Sequence, residues 1–132
     1  MLSAAFLLRE GGIDPALVES NLNGLDTEGV PVRLAPWWVR IFWPKGISAM
    51  TPPWVIWVGP EVMAWEPTRR AGLIVHELTH TAQWKRLGWG RFLYRYLADY
   101  LKGRRRGMSH RDAYRAISLE REAEEVKARL MG

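Results

Sequence analysis

Between residues 68 and 88 apolar side chains recur at helical spacing on more than one face, and this constrains the fold more than any other feature. Ala71, Ile74, Val75, Leu78 and Ala82 follow one another at intervals that line one helix face. Leu73, Trp84 and Leu87 add apolar bulk on the other side, and Gly88 stands where such a helix would end. A helix that is apolar most of the way round must be buried, so the rest of the chain has to wrap it. With 132 residues there is room for a single domain, 1–132, built on one core.

Two of the three histidines in the chain lie on this helix, in the run Val75-His76-Glu77-Leu78-Thr79-His80. Four helical residues advance about 6 Å and turn about 400°, so His76 and His80 stack on one face. That spacing offers two imidazole nitrogens to one tetrahedral ion, and Glu77 flanks the same place, where it can take a proton from water. A catalytic site of this kind needs a third protein ligand. The chain has no cysteine, which removes thiolate ligands, thiol nucleophiles and disulfides together. The third ligand is then His110 or a carboxylate, and the acidic run Glu120-Arg121-Glu122-Ala123-Glu124-Glu125 is the obvious source. Leu119, Ala123, Val126 and Leu130 form the apolar stripe of that helix. Glu120 and Glu122 lie on opposite flanks of the stripe, so periodicity leaves both open. Carboxylates at a helix start are also favoured by the macrodipole alone.

The runs His76-Glu77-Leu78-Thr79-His80-Thr81-Ala82-Gln83 and Glu120-Arg121-Glu122-Ala123-Glu124 resemble the gluzincin clan of zinc metallopeptidases. The resemblance is closest to minimal gluzincins and to small bacterial domains of unassigned function carrying H-E-L-T-H-x-x-Q. It spans roughly residues 74–129. It implies one zinc ion held by His76, His80 and Glu120, with Ala123 as a small packing residue. It implies Glu124, in place of the more usual Asp, as support for a ligand histidine. The implied activity is hydrolysis of a peptide substrate, with Glu77 as the general base. The implied fold is α+β and zincin-like, a short antiparallel sheet packed on the histidine helix and a C-terminal glutamate helix. Tyr114, His110 and Arg111 precede the glutamate helix and are candidate donors to a developing oxyanion. Each also has a plainer reading as a core, loop or cap residue. Gln83 matches the family's glutamine and either meets substrate or caps a buried loop.

Elsewhere, Asp14-Pro15 reads as a cap and first turn of a helix reaching about Leu22. Val30, Val32 and Leu34 alternate, as do Trp37, Val39, Ile41 and Trp43, and residues 54–58 are rich in β-branched and aromatic types. Prolines bound these runs, so two or three short antiparallel strands are expected, with residues 54–58 as the edge on which substrate would lie. A second helix is expected from about Gly90 to Lys102, and a third region from near Ser109 or Arg111. Lys102-Gly103-Arg104-Arg105-Arg106, the densest basic stretch in a chain of net charge +5, reads as a solvated loop between helices.

No apolar run approaches the roughly 20 residues of a membrane span, and no signal-peptide pattern is recognised, which makes the cytoplasm the default expectation. Two other functional classes fit parts of the chain. A zinc-stabilised interaction module of a larger assembly would need the metal but not Glu77. A surface binder for membrane or single-stranded nucleic acid could use the mixed aromatic and basic run Trp89-Gly90-Arg91-Phe92-Leu93-Tyr94-Arg95-Tyr96. Against that class, Phe92, Leu93, Tyr96, Leu97, Tyr100 and Leu101 fall at helical core spacing, so burial of most of them is expected and no specific nucleic acid.

Overall fold

A computed structural model describes residues 2–44 and 46–131. The chain opens with β1 (Leu2–Ser3) and α1 (Ala4–Glu10), where the Ser3 side chain accepts from the Phe6 amide and so starts the helix. After Gly11, α2 (Pro15–Asn21) begins as expected, with Asp14 capping the Ala16 amide. A Cβ on Gly11 would fall 2.4 Å from that of Ala71; the missing side chain is what lets α1 lie against the central helix.

β2 (Pro31–Leu34) leads into α3 (Trp37–Arg40), followed by β3 (Ala49–Met50) and β4 (Ile56–Val58). The alternation read in Trp37, Val39, Ile41 and Trp43 does not make a strand. Trp38 and Phe42 are apolar as well, so the run also has a helical period, and Pro36 sets the first turn. The sheet order is β1-β2-β4-β3. β1 and β3 pair antiparallel with their neighbours, but β2 and β4 run parallel. The sheet is therefore mixed, not antiparallel, because the segment holding α3 and β3 crosses over between its two central strands. Residues 54–58, expected to form an edge, are not one: β4 is interior, and β1 and β3 are the outer strands.

The long helix α4 (Pro67–Arg105) contains one non-helical residue, Gly88, at φ 77° and ψ 170°. It divides α4 into a first half, residues 67–87, and a second half, residues 89–105. Ile74, Val75 and Leu78 of the first half are fully buried with Leu7, Leu8, Val18, Ile56, Val58 and Val62. Each such side chain contributes about 1.5–3 kcal/mol on burial. In the second half Phe92 is buried and Tyr96 and Tyr100 are half-buried, but Leu93, Leu97 and Leu101 are exposed, against expectation. The basic run is also not a loop. Lys102, Arg104 and Arg105 form the last helical turn and Arg106 its cap, where cations suit the carbonyl end of the helix dipole.

α5 (His110–Arg115) starts at Ser109, whose side chain accepts from the Asp112 amide. α6 (Ser118–Met131) buries Leu119, Ala123 and Val126 as one stripe and packs along α4. Asp99 of α4 receives both the amide and the hydroxyl of Ser118, at 2.9 and 2.6 Å, and so ties the first turn of α6 to the second half of α4. Among the described residues, no helix is long and apolar enough to cross a membrane.

Candidate metal centre

His76 and His80 leave the first half of α4 one turn apart and meet Glu120 from the first turn of α6. Glu120 Oε1 lies 2.9 Å from His76 Nε2 and 3.1 Å from His80 Nε2. The three donor atoms all fall within 4.8 Å of one another, close enough to hold a metal ion. His80 and Glu120 are buried and His76 nearly so. Tyr96 donates to the other oxygen of Glu120 at 2.7 Å, which leaves one oxygen for a metal. Between the two glutamates that periodicity left open, the structure turns Glu120 inward. Glu122 instead takes a hydrogen bond from Gln83 at 2.9 Å and pairs with Arg86 at 3.3 Å.

The surrounding hydrogen bonds settle which atoms of His80 and Glu120 face each other. Gln83 Nε2 donates to the Leu119 carbonyl and to Glu122, each at 2.9 Å, so its oxygen must be the atom 2.8 Å from His80 Nδ1. His80 therefore carries its proton on Nδ1, and neutral His80 aims the Nε2 lone pair at the Glu120 carboxylate. Two lone pairs at that distance need a positive charge between them, either a proton or a metal ion. The donor set, two imidazoles and one carboxylate, suits zinc. Burial disfavours a charged His80, yet Glu120, Glu77 and Gln83 together outweigh it and carry its pKa up to about 9. Burial also works against an ionised Glu120, but His76, His80 and Tyr96 hold its carboxyl well below the usual range.

Gln83 thus acts as a buried support for His80, with none of its surface exposed. Glu124 lies 3.7 Å from His76 Nδ1, beyond hydrogen-bonding range, with 63% of its side chain exposed. It contributes charge near His76, and its exposure gives it freedom to turn away.

Glu77 is buried, and Thr51 donates to its Oε2 at 2.9 Å. Thr51 follows the edge strand β3, and Trp84 of α4 holds its carbonyl at 2.8 Å, so β3 is pinned beside the histidine helix. Two clefts open there, of about 990 and 260 Å³. Both are lined by Ala49, Glu77, Tyr114 and Glu120. Burial and the charge of Glu120 push the phenols of Tyr96 and Tyr114 upward, keeping both protonated. His110 and Arg111 line the broader cleft but are exposed, and His110 Nδ1 pairs with the Tyr100 hydroxyl at 2.8 Å. The donors at Thr51 and Tyr96 escaped sequence reasoning. Both reach their carboxylates across more than twenty residues, and no local spacing signals such a contact.

No protein-family model, curated protein or solved structure matches this chain.

Proposed function

We propose that this chain is a zinc-dependent peptide hydrolase of minimal gluzincin type, with a zincin-like arrangement of α4, α6 and the small sheet. The observation that carries the reading is the meeting of His76, His80 and Glu120 from two helices, with Glu77 buried beside them at a cleft. His76, His80 and Glu120 would hold the ion, which when bound supplies polarisation of a substrate carbonyl and lowers the pKa of a water toward about 7.

The residues of the chain supply the rest. Thr51 occupies Oε2 of Glu77 and orients its carboxylate, leaving Oε1 to accept the proton of the attacking water and pass it to the departing amine. Tyr114, kept neutral and lining both clefts, offers a hydroxyl donor to the oxygen of the scissile carbonyl as charge grows there. Among the described residues β3 is the outer strand beside the site, so an extended peptide adds to it backbone to backbone. Gln83 and Tyr96 fix the two ligands that face the ion from opposite helices.

Glu77→Gln tests this directly. Hydrolysis of a quenched fluorescent peptide library by the zinc-loaded protein is expected to fall about 10²–10⁴-fold, while zinc content by elemental analysis stays unchanged. Undiminished hydrolysis in that variant, or a wild type that takes up no zinc, would sink the proposal.

A further inference from the structure

The second half of α4 has one face that the fold leaves bare. At about 100° per residue, Phe92, Tyr96 and Gly103 turn inward toward α5 and α6. Trp89, Leu93, Leu97 and Leu101 then follow at four-residue intervals along the outer flank, with 58, 53, 59 and 47% of their surface exposed. Trp54 stacks on Trp89 at 5.9 Å and continues the row, and Tyr94 borders it. A continuous apolar row of this kind favours any partner that removes it from water.

Charge decides which partner. Residues 88–107 carry Arg91, Arg95, Lys102, Arg104, Arg105 and Arg106 against Asp99 alone, a balance equal to the +5 of the whole chain. All six cations are exposed, and among the described residues none forms a direct ion pair. Asp99 is turned to Ser118. By the same rotation Arg104 falls on the leucine row and Arg105 beside its C-terminal end, whereas Arg91, Arg95 and Lys102 lie about 140–180° round the helix from the centre of the row. A second copy of the chain packed on the row would bury Arg104 with no carboxylate on that face to pair it. A nucleic acid would satisfy the cations but not the aliphatic row. A surface of anionic headgroups over acyl chains satisfies both, with tryptophan and tyrosine at the boundary between them.

We propose that this outer face of α4 docks on an anionic phospholipid bilayer, leucines down and Arg104 and Arg105 among the headgroups. Leu93 belongs both to this face and to the smaller cleft beside Glu77 and Glu120, so docking holds that cleft at headgroup level. The proposal stands apart from the hydrolase reading, since it uses no metal ligand.

Flotation of the full chain with vesicles of phosphatidylcholine alone, or of equal parts phosphatidylcholine and phosphatidylglycerol, tests it. Binding is expected to the mixed vesicles only and to weaken as salt rises. Leu97→Glu with Leu101→Glu should lower it by about tenfold or more, and Arg104→Gln with Arg105→Gln and Arg106→Gln on the order of 100-fold. Both variants change exposed residues, so their melting curves should match the parent's. Any of four results would overturn the proposal: no binding to mixed vesicles; equal binding to neutral ones; binding indifferent to the leucine variant; or a parent dimer in sedimentation that this variant dissociates. Displacement of bound protein from mixed vesicles by a single-stranded oligonucleotide, with the leucine variant equally retained by that oligonucleotide, would assign the face to nucleic acid instead.

Discussion

The first and second halves of α4 meet at Gly88 and are similar in length, yet they sit in opposite surroundings. From Arg70 to Gln83 the first half has eleven buried residues, whereas in residues 89–105 only Phe92 and Gly103 are buried. The first half carries both histidines and Glu77; the second carries the bare leucine row and the excess of cations. The contrast matches what each proposed task needs. Donors aimed at an ion or a water must be held in a dry, packed setting where their hydrogen bonds are strong and their positions set. A face that meets a broad outside surface must instead stay open. The halves are still coupled, because Tyr96 and Asp99 of the second half hold Glu120 and the start of α6 in register with the histidines.

The comparison can be broken most directly by paired truncations. Leu78→Ala in the first half should cost about 2–5 kcal/mol, and Leu97→Ala in the second should stay within about 0.5 kcal/mol, both read from urea melts. Equal costs would mean the halves are not differently packed. Next in size is Gly88→Ala. A Cβ there meets no atom within 4 Å, so the penalty comes from the backbone alone, at φ 77° and ψ 170°. About 1–3 kcal/mol of lost stability is expected, and a neutral result would show that the joint can straighten into continuous helix.

Gln83→Leu tests whether the first half holds its histidines oriented for a metal ion, as proposed. Zinc affinity, followed by competition with a chromophoric chelator, should drop about 10–100-fold as His80 loses its partner on Nδ1. The smallest effect concerns the tie between the halves. Burial disfavours the charged form of Asp99, but the Ser118 hydroxyl and amide outweigh it and hold its pKa below the ordinary 3.8. Its contribution is thus fully present above the ordinary value and is lost as pH falls through the lower folded one. Thermal melts taken from about pH 5 downward should show a shallower acid-side loss for Asp99→Ala than for the parent chain.

Several features were legible in the residues alone because they depend on near neighbours. The Asp14-Pro15 start, the break at Gly88, the helix start near Ser109 or Arg111 and the stripe Leu119, Ala123 and Val126 all follow from short-range sterics and helical period. So does the shared helix face of His76 and His80. The alternation in residues 37–43 misled because bulky side chains at 38 and 42 made two periods fit equally well. The leucine row misled because helical spacing says that side chains share a face, not whether anything covers that face.

What the sequence determined by itself is a central helix bearing two imidazoles and a carboxylate, and an acidic helix able to supply a third ligand. Only the tertiary structure decided that Glu120, and not Glu122, turns inward. It alone made β3 an outer strand, brought Thr51 to Glu77 and Tyr96 to Glu120, and left the second half of α4 bare. The physical reason is range. Helical period and capping are set within a few residues, while these contacts join segments 24 to 44 positions apart, and only the packing of the whole chain chooses among the partners available at that distance.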